Sequence, residues 1–168
     1  GGGSSEVLVV RGGDVFFSHT YKLGSLRLRE TLEAYRASSA QLRRIMESQI
    51  KRTIDNVAQQ VAAHENLEMI ALGGDVRFAA GQLLRKWEHN RLGRIAVDSL
   101  EKIADRVLDM SVDDLVHRYH RTFPDAETLG PALLAYVQLA RRLELDHIYV
   151  TNVNLRDGLL MEMVASEG

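Results

Sequence analysis

The sequence predicts a mixed α/β domain, a β-sheet with helices on its faces. Three observations carry that expectation. The chain opens with β-branched runs around a Gly-Gly turn, later apolar runs alternate with helix-length segments, and glycine turns sit where strand passes into helix.

Residues 5–10 (SEVLVV) are strand-like and end at the turn Arg11-Gly12-Gly13-Asp14. Residues 15–22 (VFFSHTYK) complete a hairpin across that turn. From Ser39 to about His64, the positions Leu42, Met46, Ile50, Ile54, Val57 and Val61 step along one apolar face of a helix. Residues 68–72 (EMIAL) predict a short buried strand running into Gly73-Gly74-Asp75, and residues 76–87 a helix. Residues 94–97 (RIAV) form a short extended piece. Asp98 and Glu101 then predict a capping box for the next helix, and Ser111 and Asp114 repeat that signal. Pro124 ends the helix so started, and Pro131 falls in the first turn of another, with Leu133, Val137 and Ala140 facing inward. Residues 147–153 (HIYVTNV) are a strand leading into Asn154-Leu155-Arg156-Asp157-Gly158 and a short helix through Val164. The hairpin and the strands at 68–72 and 147–153 are expected to share one central sheet, with the 39–64 helix packed on it.

Composition bounds the function. The 168 residues, 45% hydrophobic, suffice for one domain with a real core. Lys+Arg 21 against Asp+Glu 23 leaves no broad basic field, which argues against a nucleic acid polymer as partner. The absence of Cys excludes disulfides and thiolate metal sites. No apolar run is long enough to span a membrane and no leader pattern opens the chain, so a cytoplasmic location is the expectation.

The chemistry lies in the glycine loops. GGGSS (1–5), LGGD (72–75) and NLRDG (154–158) flank strands, and ligands of open α/β sheets bind at strand ends. Helix N-termini after the last two loops offer N–H groups suited to an anion. GGGSS fits a flexible linker as well as a phosphate-wrapping turn, since glycine serves both. His117 and His120 have a possible ligand spacing, but no third ligand accompanies them; Asp113 and Asp114 suit a helix N-terminus.

GGGSSEVLVV, LGSLRL, IALGGDVRFAAGQL and LGPALLAYVQLARRLELDHIYVTNVNLRDGLLMEM follow one another in an order that resembles the exopolyphosphatase/guanosine pentaphosphate phosphohydrolase family, Ppx/GppA, of the actin-like ATPase superfamily. The resemblance implies a ribonuclease-H-like (actin-like ATPase) lobe with a helical insertion near 98–122. Residues 1–168 would be the C-terminal lobe, preceded in the family by another lobe that carries the water-activating Glu. The implied activity is removal of terminal phosphate from polyphosphate or guanosine pentaphosphate with Mg²⁺, the lobe alone being inactive. Gly1, Gly2, Gly3, Ser4, Ser5, Gly73, Gly74 and Arg156 match phosphate-binding positions, and Glu6 the acidic residue near metal and water. The plain alternatives are an exposed strand-start charge for Glu6, a tight turn for Gly73-Gly74 and a solvated Arg156 beside Asp157.

Two positions depart from the family pattern. Asp75 stands where the family has Thr, and Asp125 where many members carry Arg. Both remove support for phosphate, and they favour the alternative of a non-catalytic nucleotide- or polyphosphate-sensing or dimerisation module. A sugar-kinase or chaperone lobe fits LGSLRL and NLRDG poorly. An uncovered interlobe surface further implies a homodimer.

Overall fold

Gly12 and Gly13 decide the first element. Their φ values of 61° and 96° place a two-residue loop in the left-handed region, the type I′ geometry whose twist suits a hairpin. In the computed structural model, β1 (Ser5–Arg11) and β2 (Asp14–Tyr21) pair antiparallel from Ser5↔Tyr21 to Arg11↔Asp14, with an irregularity between Val9 and Val10. The structure describes residues 5–21, 39–61, 66–88, 91–153, 157–158 and 162–164, with side chains of the first helix given from Arg44 onward.

A second sheet is built from β3 (Ile70–Ala71), β4 (Gly93–Ala96) and β5 (His147–Val150), in the order β3-β5-β4. β3 runs parallel to β5 and β4 antiparallel, so the sheet is mixed. Helices α2 (Gly74–Leu83), α3 (Val97–Leu108), α4 (Val112–Tyr119) and α5 (Phe123–Arg142) pack with it. Their apolar stripes and the sheet close one core around Val76, Leu100, Leu129, Leu133, Ile148 and Val150, all fully buried. No helix among the described residues is long and apolar enough to cross a membrane.

The predicted class holds, but several details differ. Among the described residues the hairpin is a sheet of its own: β5 has β3 on one side and β4 on the other, and neither hairpin strand pairs with them. The long helix α1 (Ser39–Val61) buries Met46, Ile50, Ile54, Val57 and Val61 of the predicted face, the Leu42 side chain lying outside those described, yet it packs on α5 rather than on a sheet. Leu134 and Leu139 of α5 offer it a matching apolar stripe, and Arg142 reaches Asp55 at 3.1 Å.

Asp98 does not cap α3. The helix begins one residue earlier, where the Val97 N–H bonds the Asp146 carbonyl at 2.9 Å. Asp98 and Glu101 instead both accept from Arg141 Nη2 at 2.6 Å. Pro124 opens α5 rather than ending a helix, behind the N-cap Thr122. Pro131 then lies inside α5, where its missing N–H costs a helical hydrogen bond. The Ser111 signal is borne out: its hydroxyl accepts from the Asp114 N–H at 3.1 Å and donates to that carboxylate at 2.6 Å.

Candidate functional site

β3 delivers the chain to a turn that requires glycine. Gly73 has φ 146°, a backbone that L side chains rarely adopt, and a Cβ there would stand 3.2 Å from the Tyr136 hydroxyl. α2 begins at the next residue, and among the described residues no side chain caps it, so its first amides are open to an acceptor there. The same hydroxyl, from the middle of α5, donates to the Leu72 carbonyl at 2.7 Å and locks the turn against that helix. Burial, with the Asp75 carboxylate adding to it, pushes the Tyr136 phenol up to about 12.

Asp75 occupies the first turn of α2. Its side chain is only 16% exposed and lies 3.9 Å from Arg121 Nη2, itself 22% exposed. Burial raises the Asp75 carboxyl above its ordinary value; Arg121 and Arg77 oppose that rise, and Asp125 reinforces it. The Arg121 guanidinium sits 5.0 Å from the Phe78 ring centroid, and Phe78 meets Tyr119 edge-on at 4.9 Å. Arg121 Nε is buried and has no hydrogen-bond partner among the described residues. A glycine turn, free helix amides and a clamped cation suit an anion; the carboxylate among them does not.

Of the residues that the sequence singles out, Gly73 and Gly74 form this turn. Ser5 and Glu6 lie on β1, where Glu6 is exposed opposite Thr20, and β1 shares no sheet with β3. Gly1, Gly2, Gly3, Ser4 and Arg156 fall outside the described residues. The histidines keep their plain roles: His117 Nδ1–H donates to the Asp113 carbonyl at 2.8 Å, and His120 is the left-handed C-cap of α4. Arg121 and Tyr136 were not singled out. The only hint in the sequence was an Arg just before a capping Thr and one polar-tipped ring on an apolar helix.

A groove of about 740 Å³ lies elsewhere, between α1, α3 and α5. Its charges answer one another, with Lys51 and Arg142 on Asp55 and Arg141 on Glu101, and none of the turn residues lines it.

No family model and no curated protein matches the chain. Solved structures do. In this chain a mixed sheet is flanked by helices, with a glycine turn opening α2. Its particular form is the Ppx/GppA fold: the Aquifex aeolicus member of that family superposes with a TM-score of 0.83 at 16% identity, over 100% of this chain and 55% of its own. An exopolyphosphatase from Cytophaga hutchinsonii gives a TM-score of 0.84 at 12% identity, over 99% and 55%. An exopolyphosphatase-like protein gives 0.78 at 18%, over 97% and 57%. The chain thus spans little more than half the length of the structures it matches, and the resemblance seen in the sequence holds for the fold.

Proposed function

We propose that this chain is the C-terminal lobe of a two-lobed phosphohydrolase that releases terminal phosphate from polyphosphate or guanosine pentaphosphate. The glycine turn between β3 and α2, on the fold of known exopolyphosphatases, carries this reading. Phosphoryl transfer asks a protein mainly for positioned donors and charge neutralisation. The Gly73 and Gly74 amides would hold phosphate oxygens from one side of a cleft. Gly1, Gly2, Gly3, Ser4 and Ser5 would hold them from the other, with Arg156 pairing at a helix start. Among the described residues no three His, Cys, Asp or Glu side chains gather. That still suits Mg²⁺, which takes one or two carboxylates and keeps substrate oxygens and water as its other ligands. Glu6 would be its carboxylate here, and the ion would supply charge neutralisation.

The test is phosphate release from polyphosphate with Mg²⁺, by the chain alone and together with its companion lobe. The proposal expects turnover only from the pair. Asp75 favours a second reading, a non-catalytic nucleotide- or polyphosphate-sensing or dimerisation module, because it sets a carboxylate in the first turn of α2, 3.9 Å from Arg121. Polyphosphate binding without release by the pair would select that module. A homodimer belongs to both readings, through exposed apolar residues such as Leu8, Val10 and Phe16. A single monomeric boundary in sedimentation at high concentration would refute it.

A further inference from the structure

Resting on the phosphate reading above, we propose that Asp75 sets the anion selectivity of the Gly73-Gly74 turn: it stands as the resident counter-ion of Arg121, and excludes free phosphate for as long as it does. The geometry is that of an unfinished pair. At 3.9 Å, Arg121 Nη2 and Asp75 Oδ1 attract each other but are too far apart to hydrogen-bond. Arg121 Nε has no partner at all among the described residues, so this mostly buried cation keeps donor capacity next to the turn.

Arg121 is also held in place. Its guanidinium rests on the Phe78 face, Phe78 is fixed edge-on by Tyr119, and the backbone on either side carries the left-handed His120 and the N-cap Thr122. The carboxylate that faces it stands in the first turn of a helix whose start is pinned through Leu72 and Tyr136. A phosphate oxygen at the turn would meet the attraction of Arg121 and the repulsion of Asp75 together, at distances where half-buried charges are weakly screened. Asp125 on α5 adds to the repulsion, while Arg77 on α2 offsets part of it. Removing the Asp75 charge alone should therefore turn a balanced pair into an open cation. Nothing else at the turn needs to move.

The experiment titrates inorganic phosphate into the 168-residue chain and follows the Gly73 and Gly74 amide resonances with the Arg121 Nε–H signal. Asp75→Asn keeps the shape and removes the charge; it is expected to tighten phosphate binding at least ~10-fold over wild type. Adding Arg121→Gln to it is expected to abolish the gain. Asp75→Ser, which retains a helix-starting side chain, should reproduce the gain should the Asn variant fold poorly. A helix-capping role alone would change the melting temperature without changing phosphate affinity, and that result overturns the proposal, as does a gain that survives Arg121→Gln. If phosphate moves the two glycine amides equally in wild type and Asp75→Asn, the Asp75 role falls while the phosphate turn stands. If phosphate moves them in no variant, both are lost.

Discussion

The hairpin and the helical core are both rich in β-branched and aliphatic residues, yet they end in opposite environments. No residue of β1 or β2 is buried, and Leu8, Val10, Val15 and Phe16 are each more than half exposed. In the core, Leu100, Leu129, Leu133 and Ile148 are at 0% exposure. Local rules suffice for the hairpin, because a type I′ glycine pair and cross-strand register need nothing else to define them. They do not suffice to bury it, and a lone two-stranded sheet is marginal in water. The Gly73-Gly74 turn is held by the well-packed region, whereas Glu6 rides on the open one.

The largest expected difference between the regions lies in side-chain truncation. Leu133→Ala should cost about 2–5 kcal/mol in urea unfolding, while Leu8→Ala should stay within about 0.5 kcal/mol. Equal losses would mean that the hairpin is packed as tightly as the core. Glycine replacement separates the two next. Gly130→Ala places a Cβ 2.7 Å from Leu108 Cδ2 and should cost about 1–3 kcal/mol by overpacking. Gly13→Ala meets no neighbour and is opposed only by its φ of 96°, about 1 kcal/mol.

A pH effect of intermediate size should come from the turn itself. Tyr136 has its folded-state value raised from 10 to about 12, so its contribution is complete below 10. That contribution is lost as pH rises through about 12, since the folded state then holds a proton that the unfolded chain has given up. Tyr136→Phe should remove that alkaline slope and also leave the Leu72 carbonyl without its donor, costing about 1–3 kcal/mol at neutral pH. Thermal melts across the alkaline range check both. The smallest effect is expected at Arg141→Ala, whose exposed pairs with Asp98 and Glu101 salt should screen.

What the sequence made legible was local. The I′ turn, the buried face of α1 and the Ser111 cap each depend on residues within a few positions of one another. The misread features depend on distant partners. Asp98 looks like a cap until Arg141, 43 residues on, claims it. The hairpin looks like a central-sheet strand pair because its apolar pattern does not say which edge it will meet. The site shows the same division. Gly73 and Gly74 could be read directly, but Tyr136 reaches Leu72 across 64 residues, and Arg121 meets Asp75 only once α2 and α5 have packed.

The most direct test of the phosphohydrolase account is Mg²⁺-dependent phosphate release by the chain paired with its companion lobe, with Glu6→Gln as the variant. Glu6 lies on the open hairpin, exposed and well clear of the buried core, so the substitution should leave folding intact. The account predicts a rate at least about tenfold lower, roughly 1.4 kcal/mol of barrier. Unchanged turnover in a folded Glu6→Gln protein would contradict it and leave Glu6 as an exposed charge at the start of a strand.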